Sequence, residues 1–196
     1  MVRLGDNRER LCRESQDALQ DASKLAKEAD LTYRHVDALV NLVWLGFYML
    51  EEDKKVSEDH EVWDTIKVAE DAFPPEAEIE KQPQVWAQKG KLYVLKGHLA
   101  FHRLEQIRKQ MPKGITKEIE DVLTEIATNY ARSLDYSSRF ALDYQGIRQG
   151  KDGMFNWLKR LNATEMRLVC NKIKSLYPKG SVIQTFLTNR ALWQTG

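Results

Sequence analysis

The chain has 196 residues, 42% hydrophobic and 30% charged, a globular composition that excludes a disordered polymer and predicts one domain with a substantial core. Its two cysteines, Cys12 and Cys170, lie far apart and in no CxxC arrangement, so neither a disulfide framework nor a zinc knuckle is indicated, and a reducing, intracellular, cytoplasmic setting is expected. The formal net charge of +1 hides a division at Gly146: residues 146–196 hold nine Lys/Arg against two acidic residues, net +7, leaving −6 on residues 1–145.

The opening MVRLGDNRERLCRE is charged where a secretory signal needs an apolar run, so export is not expected. A first helix is predicted over about 7–29, with Leu11, Ser15, Ala18, Ala22, Leu25 and Ala29 recurring at three and four residues, small and apolar groups on one helical face. Thr32 suits the cap of a second helix to about Glu52, apolar around most of its circumference between Val36 and Leu50 and therefore central. Its apolar core, Ala38 to Leu50, is too short to span a bilayer, so no membrane association is expected.

A shorter helix through Val62, Trp63, Ile66 and Ala69 ends before Pro74-Pro75, which stops it and makes a turn. Pro83 opens a long helix to about Gln110, with Gly90 and Gly97 as weak points, and Pro112-Lys113-Gly114 breaks the chain. Thr116 caps the most regular pattern, Ile119, Val122, Ile126, Tyr130, Leu134 and Ala141, running to about Gly146. A short helix from Asp152, a capping box of Asn162 and Glu165 opening a helix to Tyr177, and a last helix from Ser181 complete the series. No segment keeps a strand's period. The expected fold is all-α, an irregular multi-helix bundle or a short stack of helical hairpins, in a single domain with an acidic N-terminal body (1–145) and a basic C-terminal helical segment (146–196).

Trp86, Gly90 and Tyr93, spaced four and three residues apart, resemble the first helix of a tetratricopeptide repeat, and Leu42, Leu45, Gly46 and Met49 repeat that spacing. A small residue between large ones lets a paired helix approach closely. The resemblance covers residues 31–110 and departs from the pattern in two ways. Gly46 and Gly90 are 44 residues apart rather than about 34, and His102 stands where the second helix wants a small residue. The stretch ATNYARSLDYSSRF (127–140) looks like the closing helices of repeat-containing sensor regions in large signalling ATPases, without any ATPase motif. The resemblance implies protein or peptide recognition by a TPR-like scaffold rather than catalysis, with Trp86, Gly90 and Tyr93 as partner-binding positions. Trp193 is a further aromatic near the end of the sequence that either pins the last helix or anchors another chain.

Other patterns point to other chemistries. His98 and His102 are one turn apart on a helix with Glu105 beyond them, a spacing that suits three metal ligands, although HExxH and ExxH are absent. Lys159, Arg160, Arg167, Lys172, Lys174 and Lys179 form a basic set able to neutralise phosphates, so nucleic-acid binding is the alternative to protein binding. Cys170 has basic neighbours in Arg167, Lys172 and Lys174, yet its flanks Leu168, Val169 and Ile173 predict burial. No GxSxG, GxxxxGK[ST] or GxGxxG motif occurs. The sequence therefore predicts a non-enzymatic helical interaction module or subunit of a larger assembly, with a protein partner and no cofactor.

Overall fold

The computed structural model describes residues 4–53, 60–110, 114–140 and 156–177. The chain is all-α, with no strand among the described residues. The helices are α1 (Leu4–Glu28), α2 (Thr32–Asp53), α3 (His60–Asp71), α4 (Pro83–Gln110), α5 (Lys117–Phe140) and α6 (Ala163–Ser175). A 3-10 turn, Glu76–Lys81, joins α3 to α4 where the sequence marked a proline-driven turn. None of the described helices is long and apolar enough to cross a membrane. The predicted helices from Asp152 and Ser181 and the extension of α5 to Gly146 lie wholly or partly outside the described residues.

The residues cluster into two compact units, Met1–Leu92 and Tyr93–Gly196. The first holds 13 Lys/Arg against 20 Asp/Glu, net −7, and the second 17 against 9, net +8.

In the first unit, α1 and α2 form an antiparallel hairpin. Arg8 sits 5.0 Å over the Tyr48 ring at one end, and Ser23 meets the His35 ring nitrogen at 3.0 Å at the other. The turn between them is a Schellman motif, in which Leu31 N–H donates to Ala26 O and Asp30 N–H to Lys27 O. Asp30 occupies its left-handed position, φ 54°, where glycine is the usual residue. Val36, Val40, Val43 and Phe47 of α2 are buried, as are Val62, Ile66 and Ala69 of α3. Gly46 brings α3 close: a Cβ added there would lie 3.1 Å from Val62 Cγ2.

Helix α1 turns a different face inward from the one its apolar spacing marks. Ser23 and Ala26 are buried and Cys12, Gln16 and Leu19 half-buried, a polar-leaning stripe, whereas Leu11, Ser15, Ala18, Ala22, Leu25 and Ala29 are all exposed.

In the second unit, the part of α4 from Tyr93 onward runs antiparallel to α5. Tyr93 stacks on Tyr136 at 5.6 Å, Gly97 faces the Tyr130 ring, and Arg103 pairs with Glu125. A Cβ on Gly97 would overlap the Tyr130 ring, so the glycine that weakens the helix locally is what lets α5 dock. One apolar core runs through Phe101, Leu104, Ile119, Leu123, Ile126 and Tyr130, then Leu158, Val169 and Ile173. Thr116 Oγ1 accepts the Ile119 N–H at the start of α5 (3.3 Å). The capping box of α6 is reciprocal: Glu165 N–H donates to Asn162 Oδ1 and Asn162 N–H to Glu165 Oε2, each at 3.0 Å. Glu165 is also held by Arg108 of α4, so the box fixes a tertiary contact as well as a helix end.

Candidate functional site

The residues that repeat the TPR-like spacing on α2 form the floor of a groove in the first unit. Leu42, Leu45, Gly46, Met49 and Leu50 line it from α2, Gln16 and Gln20 from α1, and Glu61, Val62 and Thr65 from α3, enclosing about 340 Å³. The floor is aliphatic and half-buried, and the walls carry amides, a hydroxyl and one carboxylate. Such a surface gains free energy by covering its floor with apolar side chains and hydrogen-bonding at its rim. Its polar wall groups include the Glu61 carboxylate and the Thr65 hydroxyl, which donates to Glu61 O at 2.8 Å. The wall residues from α1 and α3 carry no sequence signal, because only the packing of three helices brings them together.

Trp86, Gly90 and Tyr93 are all buried. Trp86 packs against Phe73 at 6.3 Å, with the Lys89 ammonium 4.5 Å over its ring. Tyr93 is stacked on Tyr136 and covered by Arg132 at 5.4 Å. This corrects their reading as partner-contacting positions: they pack the helices and offer a partner no surface. Trp193 lies outside the described residues.

The histidines belong to a buried aromatic cluster in the second unit. The His98 ring stacks on Trp157 at 4.7 Å, and His98 Nδ1 shares a 2.8 Å hydrogen bond with Tyr130 Oη. Burial, with help from His102 and Arg160, lowers the His98 pKa to about 3, and burial drives the Tyr130 phenol well above its ordinary value, so both stay neutral near pH 7. His102 lies 5.8 Å from Trp157, while Glu105 is ion-paired at 2.5 Å to Arg160, whose guanidinium lies 4.4 Å over the same indole. The three residues with metal-ligand spacing are thus committed to aromatic and ionic packing, and no group of three His, Cys, Asp or Glu able to hold a metal occurs among the described residues.

The basic set is divided. Arg160 is tied to Glu105, and Lys172 is half-buried beside an open groove between α5 and α6 with Glu120, Thr124, Asn171 and Ser175. Lys159, Arg167 and Lys174 are exposed, the last two a pair of helical turns apart on the outer face of α6. Lys179 lies outside the described residues. Cys170 is buried, and desolvation raises its thiol pKa to about 12 against the smaller opposing pull of Lys174, so it is not a thiolate at neutral pH.

No protein-family model, curated protein or solved structure matches the chain.

Proposed function

We propose that this chain is a non-enzymatic helical interaction module, a TPR-like hairpin scaffold that seats a segment of a protein partner in the groove of α1, α2 and α3. The observation that carries this reading is the aliphatic floor of Leu42, Leu45, Met49 and Leu50, framed by the amides of Gln16 and Gln20, the Thr65 hydroxyl and the Glu61 carboxylate. The described residues contain no strand and so no sheet edge to which an extended peptide could add its backbone hydrogen bonds. A helix, which satisfies its own backbone, is the occupant that suits such a groove. The net charge of −7 on this unit favours a basic segment.

A photo-crosslinking residue at Met49 tests it against one at the exposed Lys67 on α3, which lies outside the groove. The expected result is a discrete adduct from Met49 alone that disappears in the Leu45→Asp variant. Equal adducts from both positions, or persistence in Leu45→Asp, would refute the groove.

The second reading, contact with nucleic acid, is favoured by the charge of +8 on residues 93–196 and by exposed Lys159, Arg167 and Lys174. Anisotropy titrations of short single- and double-stranded nucleic acids at low and physiological salt discriminate it. Micromolar binding that weakens steeply with salt and is lost on reversing these three charges supports it; no binding at low salt removes it.

A further inference from the structure

The exposed face of α1 has the spacing of a heptad seam, and none of the described residues covers it. Leu11, Ser15, Ala18, Ala22, Leu25 and Ala29 alternate four- and three-residue steps, the spacing by which one helix lays a continuous edge against another. They span about 27 Å at the 1.5 Å rise of an α-helix. Yet Leu11 is 55% and Leu25 63% exposed, because α1 meets α2 through the neighbouring stripe of Cys12, Gln16, Leu19, Ser23 and Ala26. The Ser15 hydroxyl donates to Leu11 O at 2.7 Å within its own helix, so covering the seam strands no hydroxyl. The small side chains between the two leucines permit close approach of a second backbone.

The charge beside the seam selects the occupant. Glu14, Asp21 and Glu28 recur every seven residues along the edge away from α2, all acidic and all exposed, with Glu14 lying 3.7 Å from Arg10. A second copy lying antiparallel would set this acidic row against itself. A parallel copy would need the stripe already spent on α2. An anionic membrane surface would be repelled by the same row. A helix carrying Lys or Arg at the matching heptad positions meets both the apolar seam and the acidic edge.

We infer that α1 docks a helix from another protein, one with a small-residue and leucine seam and a basic flank, on the Leu11–Ala29 face. This surface is distinct from the groove and does not depend on it.

The test titrates the full chain against synthetic helical peptides of about four heptads, with Leu and Ala at the seam and either Lys, Ser or Glu at the flanks. The lysine peptide is expected to bind at least about ten-fold tighter than the serine one at low salt, and the glutamate peptide weakest. Leu11→Asp with Leu25→Asp should remove binding, as should Ala22→Trp, which blocks close approach at an exposed position and leaves the leucines in place; circular dichroism confirms that each variant is folded. Reversal of Glu14, Asp21 and Glu28 to Lys should transfer preference to the glutamate peptide. Leu45→Asp, in the groove, should leave all of this unchanged. Lysine-peptide binding that survives both seam variants, equal binding of the three peptides, or binding of none would overturn the inference. Self-association seen by light scattering and lost in the seam variants would assign the face to a second copy, against the inference as stated.

Discussion

At pH 7 His98 is neutral, stacked on Trp157 and bonded to Tyr130, with His102 and Arg160 nearby to oppose its protonation. Its folded-state pKa of about 3 lies below the ordinary 6.5, so between those values the unfolded chain binds the additional proton. The contribution is complete above pH 6.5 and is lost as pH falls toward 3, at about 1.4 kcal/mol per pH unit. Urea unfolding at pH 7 and pH 5 is expected to differ by about 2 kcal/mol through this group, and His98→Gln to flatten that difference. Glu165 carries a second concentrated dependence. It is buried, closes the α6 capping box and receives Arg108. Glu165→Ala should cost about 3–5 kcal/mol, since it leaves Arg108 unpaired and opens the cap, whereas Asn162→Ala should cost about 1 kcal/mol. The Arg108→Ala/Glu165→Ala double variant should lose less than the two single changes together, and a double-mutant cycle measures that difference.

The elements were legible in the sequence where their signals are local. Pro83, Thr116 and the Asn162–Glu165 pair mark helix starts that need only neighbours three residues away, and each helix begins where they place it. Gly97 misleads for the complementary reason: its justification, the Tyr130 ring, is 33 residues distant. The histidine spacing was correct as helix geometry, but Trp157, Tyr130 and Arg160, which decide what the histidines do, come from other segments. Of the groove, the α2 floor was visible as a repeated spacing, and its α1 and α3 walls were not. On α1 the apolar period was real, and the helix nonetheless packs by another stripe. The α1–α2 turn offers a test at this scale. Asp30 holds a left-handed conformation that costs a side-chain-bearing residue about 1 kcal/mol, and its carboxylate sits at the negative end of the helix dipole. Asp30→Gly should therefore raise stability by about 0.5–1 kcal/mol, read as a higher denaturant midpoint with unchanged slope.

Across the whole molecule, the charge boundary found by counting, at Gly146, and the structural boundary at residues 92 and 93 do not coincide, but both separate an acidic N-terminal part from a basic remainder. The compact units carry −7 and +8, although the chain as a whole carries +1 and its isoelectric point is near 7.7. Net charge near zero offers little long-range repulsion between copies, while opposite-sign surfaces attract within a Debye length of about 10 Å at 0.1 M salt. In chromatographic terms the protein should behave as two ions at once. At neutral pH and low salt it should be retained by both anion and cation exchangers, and its solubility should rise on adding the first ~0.1–0.2 M sodium chloride, the salting-in of a patchy, nearly isoelectric colloid.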